Sequence, residues 1–152
     1  ANYVKRHSNA SIKEGNFVDT KGNVLGRHKG IVNYTIGQRK GLGIAFGKPM
    51  FVIDINAKNN TVILGDNKDL FQHNLIAKDV NFISIEDIKE PIRVKAKVRY
   101  AAKPADATVY KVGQDKIKIV FDEAQRAITK GQSVVMYDGD KVVGGGIIES
   151  SF

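Results

Sequence analysis

The sequence predicts a mainly β protein: a small central β domain followed by a six-stranded antiparallel β-barrel. Three observations predict it. Short apolar segments alternate with polar residues at a period of two. Asn-, Asp- and Gly-containing turn signals separate them at regular intervals. Within the barrel region the segment that invites a helix, Glu123 to Ile128, is too short to support one.

Residues 1–14 read as a tail or helix remnant, 15–72 as the central domain and 73–152 as the barrel, with the boundary placed near His73. In the central domain, Asn16–Asp19 and Asn23–Gly26 flank Thr20-Lys21-Gly22 as a hairpin. Met50–Ile55 is an apolar strand, and Asn59-Asn60 turns it into Thr61–Gly65. Asn67–Phe71 is a polar turn or a single helical turn. In the barrel, Leu75–Ile83 is one strand, and Pro91 ends the link that follows it. Arg93–Tyr100 is the next strand. Ala107–Val112 and Lys116–Phe121 form a hairpin around Gly113-Gln114-Asp115. Ser133–Tyr137 and Lys141–Ile148 form another around Asp138-Gly139, a strong hairpin signal. Closing six such strands would remove the sheet's edges.

Composition bounds the chemistry. The chain has no cysteine, which excludes disulfides and thiolate metal sites and fits a reducing, cytoplasmic setting. No apolar run approaches the ~20 residues of a membrane span, so no membrane partner is expected. The formal net charge is +8, with 24 Lys and Arg against 16 Asp and Glu. The excess favours a polyanion, of which nucleic acid is the commonest. His7, His28 and His73 have no ligand spacing, and no metal site is expected. His28 is expected to bond backbone within its turn. Asp122-Glu123 is read as a cap or as a salt-bridge partner of the basic strand.

Two stretches stand out chemically. Tyr34-Thr35-Ile36-Gly37-Gln38-Arg39-Lys40-Gly41-Leu42-Gly43-Ile44 sets two adjacent cations among three glycines. An amide, a guanidinium, an ammonium and backbone N–H groups can there converge on an anion. The spacing is neither that of a P-loop nor a complete G-x-G-x-x-G, so a tight turn with two solvated cations is the competing reading. Arg93-Val94-Lys95-Ala96-Lys97-Val98-Arg99-Tyr100 alternates cation and apolar residue. As a strand it would put Arg93, Lys95, Lys97 and Arg99 on one face, with neighbours about 7 Å apart. A phosphate backbone could lie along that face, or carboxylates of adjacent strands such as Asp122 and Glu123 could neutralise it. Gly144-Gly145-Gly146 suggests a bulge or close backbone approach, not a phosphate cradle.

His28-Lys29-Gly30 with the Tyr34–Gly43 stretch resembles the central-domain signature of bacterial tRNA-specific 2-thiouridylases. Val98-Arg99-Tyr100, Val120–Glu123, Gly131-Gln132-Ser133 and Gly144–Glu149 resemble that family's C-terminal region, in order. Lys130 stands where the family often has proline. The resemblance implies a piece of a longer polypeptide, comprising the two non-catalytic domains. Its missing portion would carry the ATP-binding domain and the catalytic cysteines, and would bind ATP with Mg and a sulfur donor or carrier protein. The family reaction replaces the C2 oxygen of the wobble uridine with sulfur. On that basis the present chain has no catalytic residue and no cofactor of its own, is inactive alone, and has tRNA as its partner. The resemblance assigns tRNA contacts to Arg99, Tyr100 and Gln132, and suggests that Gln38, Arg39 and Lys40 hold or brace RNA. Without the resemblance, a free-standing RNA-binding β-barrel module, or a structural domain with solubilising basic faces, explains the same residues.

Overall fold

A computed structural model of the chain describes residues 12–42, 47–99 and 102–152. The expectations for residues 1–11, Gly43, Ile44 and Tyr100 lie outside them. The chain divides into two compact units, one reaching to Leu70 and one spanning Phe71–Phe152. No helix among the described residues is long and apolar enough to cross a membrane.

The first unit is a four-stranded sheet in the order β2-β1-β4-β3. Its strands are β1 (Gly15–Val18), β2 (Val24–His28), β3 (Phe51–Asn56) and β4 (Thr61–Gly65). Both expected hairpins form: Gly15 lies opposite His28, and Asn56 opposite Thr61. Alternation did not reveal that β1 then pairs with β4 in parallel, Phe17 opposite Val62. A parallel pair needs a long crossover, and the segment from Lys29 to Met50 lies between the two hairpins. It contributes Tyr34, Leu42 and Met50 to a core built on Phe17, Val52, Val62 and Leu64. After β4, Asn67–Leu70 forms one 3₁₀ turn.

The second unit is a closed barrel in the order β10-β5-β8-β7-β6-β9, and every neighbouring pair is antiparallel. Its strands are β5 (Phe71–Phe82), β6 (Ile92–Lys97), β7 (Ala105–Gly113), β8 (Lys116–Arg126), β9 (Ser133–Asp138) and β10 (Lys141–Ser151). Inward residues at a period of two, among them Leu75, Val94, Val109, Ile119, Phe121, Met136 and Ile148, fill the interior. The segment that invited a helix continues β8 as strand to Arg126, paired with Phe71.

The connectivity separates the barrel's two ends. The connections 98–104 (β6 to β7) and 127–132 (β8 to β9) share one end. The connections 83–91, 114–115 and 139–140 share the other. The first end carries Arg99, Lys103 and Lys130 and no carboxylate in its connections. The second carries Glu86, Asp87, Glu90, Asp115 and Asp140, with Lys89 the one cation within these connections and Lys111 of β7 ion-paired with Asp87. The connections at the barrel's two ends therefore differ in the sign of their charge.

Candidate nucleic-acid interface

In the first unit the glycine-rich stretch is tied to β3 by backbone. Gly37 N–H donates to the Val52 carbonyl (2.8 Å), and Val52 N–H donates to that of Gln38 (2.9 Å). The Gln38 side chain closes the loop on itself. Its Oε1 accepts from Thr35 N–H at 2.9 Å, and its Nε2 donates to the Lys40 carbonyl at 2.8 Å. Thr35-x-x-Gln38 is the spacing of a capping box, whose fourth residue reaches back to the first residue's N–H. That signal in the sequence could have revealed the brace. Arg39 and Lys40 are exposed, and among the described residues neither side chain has a partner. The loop thus presents two adjacent cations from a backbone its own glutamine rigidifies.

His28 stands beneath this loop and is fully buried. Its Nδ1 accepts from Gly30 N–H at 2.9 Å, so Nε2 carries the proton and donates to the Asn60 carbonyl at 2.7 Å. Its ring meets Phe17 and Tyr34 edge-on, at centroid distances of 5.8 and 5.7 Å. Both polar atoms are consumed within the fold, and the ring is a structural pin between the two hairpins.

The basic strand is shorter than alternation implies. β6 ends at Lys97, because Ala96 is the last residue paired with β7 and Lys97 the last paired with β9. Arg93 is fixed by Asp122 through two bonds of 2.7 and 2.6 Å, and by Thr108 Oγ1 at 2.9 Å. Lys95 lies 3.9 Å from Asp106, and Lys97 also has a partner. Cross-strand carboxylates thus neutralise much of the expected four-cation ladder. Arg99 behaves differently: it leaves the strand on a bend, and its Nη2 donates to the main-chain carbonyl of Arg126. A carbonyl orients a guanidinium without cancelling its charge. Among the described residues, four of its five N–H donors have no other partner and are open to an anion.

The Arg93 guanidinium, through its hydrogen bonds, holds the Asp122 carboxyl below the ordinary carboxylate range. A depressed folded value means that the pair stabilises the fold above the unfolded pKa of about 3.9. That contribution is lost as pH falls through the folded value. The difference in melting temperature between the wild type and Asp122→Asn is therefore expected to be larger at pH 7 than near pH 3. An equal difference at both would show that the carboxylate's charge contributes nothing.

Gln132, distant from Arg99 in sequence, comes to the same barrel end on the connection 127–132. Its N–H donates to the Thr129 carbonyl at 3.3 Å, and its own carbonyl accepts from Ile148 at 2.9 Å. Its exposed side chain is left without a partner among the described residues. Lys103, Arg126, Thr129 and Lys130 share that end. Singling them out required knowing which connections meet, which no local pattern encodes. Gly144-Gly145-Gly146 lies at close backbone contacts inside the barrel, and the described residues hold no group of three or more His, Asp or Glu able to bind a metal.

The two units each match a known domain. Residues 72–148 match the family described as the aminomethyltransferase beta-barrel domain. Residues 1–66 match the tRNA methyl transferase PRC-barrel domain. Whole-chain relatives narrow the class. A tRNA-specific 2-thiouridylase MnmA of Clostridioides difficile is 76% identical over 151 residues, 99% of this chain and 42% of that protein. Its namesake in Acetivibrio thermocellus is 59% identical over 147 residues, 97% of this chain and 41% of the relative. The chain belongs to the tRNA-specific 2-thiouridylase family and carries its central and C-terminal β domains. It spans about two fifths of the length of the curated relatives it matches.

Proposed function

We propose that this chain is the tRNA-seating portion of an ATP-dependent 2-thiouridylase that places sulfur at C2 of the wobble uridine. The observation that carries this reading is the charge difference between the connections at the barrel's two ends. Arg99 and Gln132 lie in connections at the same end, whose charged residues are all cationic, and Arg99 is oriented there by a carbonyl and not by a carboxylate. A polyanion approaching the barrel is drawn to that end and repelled from the other.

On this reading Arg99 grips phosphate in a bidentate manner, and Tyr100 stacks on an unpaired base. Gln132 bonds a base edge or a ribose hydroxyl. Arg39 and Lys40 add phosphate contacts from the first unit, and Gln38 braces the loop that holds them. Fixing the anticodon region lowers the entropic part of the barrier to a reaction performed elsewhere in the polypeptide. In the longer protein ATP with Mg would supply the activation of the uridine oxygen, and a sulfur donor or carrier protein would supply the sulfur. The residues described here do not fit ATP: the tri-glycine stretch is filled by strand backbone, and no carboxylate group is arranged for a metal. The setting is cytoplasmic, and the chain alone, having no cysteine, is inactive in thiolation.

The reading is tested by titrating labelled tRNA at two salt concentrations. With about four phosphate contacts, affinity is expected to fall roughly a hundredfold between about 50 and 200 mM salt. Arg99→Ala and Gln132→Ala weaken binding, whereas Lys58→Ala, on the turn between β3 and β4, does not. A response flat in salt, or equal losses from all three variants, would contradict a defined tRNA seat.

A further inference from the structure

We propose that Ala127 and Thr129 are positioning residues for Arg99, and that the segment 126–132, from the last residue of β8 through the connection to β9, joins Arg99 and Gln132 into one preorganised element. This rests on the reading of that barrel end as the tRNA seat. Ala127 is buried, 5% exposed, yet adopts φ 58°, a left-handed conformation unfavourable for alanine. Such a conformation persists where the surrounding structure over-determines it. The φ of Ala127 sets the plane of the Arg126–Ala127 peptide, and so the direction of the carbonyl that receives Arg99. The next peptide is fixed by the Thr129 hydroxyl, whose Oγ1 donates to the Ala127 carbonyl at 2.9 Å. The Thr129 carbonyl in turn accepts Gln132 N–H at 3.3 Å, and Gly131 N–H is held on the Ile148 carbonyl at 2.8 Å. A continuous run of main-chain and hydroxyl bonds thus links the guanidinium to the backbone of the glutamine. Losing the Thr129 hydroxyl frees the Ala127 peptide, and with it the carbonyl that aims Arg99.

A double-mutant cycle read by anisotropy of labelled tRNA tests this. Arg99→Ala is expected to lose about tenfold in affinity, the value of a hydrogen bond to a charged group. Thr129→Val is expected to lose about fivefold, while Thr129→Ser, which keeps the hydroxyl, binds as the wild type does. In the Arg99→Ala background, Thr129→Val is expected to cost nothing more. Losses that multiply in the double variant, or wild-type binding by Thr129→Val, would overturn the inference. Wild-type binding by Arg99→Ala would instead remove the tRNA reading of this residue, an outcome distinct from failure of the coupling. Should Thr129→Val not fold, Ala127→Gly enters the same cycle. It relaxes the left-handed constraint and is expected to lose affinity only when Arg99 is present, and additivity there would likewise overturn the inference.

Discussion

Alanine in place of Gly15 is expected to abolish the cooperative folding of the first unit. A Cβ at this position would lie 2.1 Å from the Asn60 carbonyl oxygen, 2.5 Å from His28 Nε2 and 2.8 Å from Asn60 Nδ2. These are the partners of the bond that pins the two hairpins together. Neither can step aside. Asn60 is held by two bonds from its Nδ2 to the carbonyls of Lys13 and Glu14, both 3.0 Å. His28 is enclosed by Phe17 and Tyr34. The substitution must therefore break the pin and leave buried polar atoms without partners, about 1–3 kcal/mol each. A core as small as this one supplies only about 3–5 kcal/mol. Two-dimensional amide NMR is expected to show collapsed dispersion for residues 15–65. Native dispersion with an unchanged melting temperature would contradict the role given to His28.

The second large effect is expected at the barrel closure. In a strand, alanine is ordinarily better than glycine by about 0.5–1 kcal/mol, so the sign at Gly144 depends on space. A Cβ there would lie 2.4 Å from the Asn81 carbonyl oxygen, 3.0 Å from Phe82 Cα and 3.2 Å from the Asn81 carbonyl carbon. All three are backbone of β5, the strand that β10 must meet to close the barrel, with Gly144 opposite Phe82. No side-chain rotation relieves the overlap, and the two strands must separate. Gly144→Ala is expected to destabilise the barrel by more than about 3 kcal/mol, lowering its melting temperature by more than about 12 °C. Gly113→Ala is the matched control. Its Cβ would meet Lys116 Cβ at 3.6 Å, an ordinary contact, and its expected effect is within about 0.5 kcal/mol. Similar urea midpoints for the two variants would contradict the closure geometry.

Most strands could be read from local pattern, because a half-buried strand alternates and its turns need particular residues. The β9–β10 hairpin was legible from Asp138-Gly139, although its two turn residues prove to be Gly139 and Asp140. The tri-glycine stretch, expected as a bulge or a close backbone approach, shows both: the pairing register shifts there and neighbouring backbone lies close to each glycine. Alternation failed at Arg99 because a strand lasts only while it has a partner, and β6 has none beyond Lys97. The parallel pairing of β1 with β4 was not legible, since the choice of neighbour is tertiary. The same limit hid the charge difference between the barrel's two ends. Arg99, Lys103 and Lys130 gather at one end through strand order, and Arg93 differs from Arg99 through the carboxylate or carbonyl that faces it.

The most direct measurement of the central claim is an amide NMR titration of this chain with a tRNA anticodon stem-loop. Shifts are expected to concentrate at Arg99 and at Arg126 to Gln132, with the turns at Gly113–Lys116 and Gly139–Asp140 unmoved. Shifts concentrated at those acidic-end turns, with Arg99 and Gln132 silent, would contradict the account.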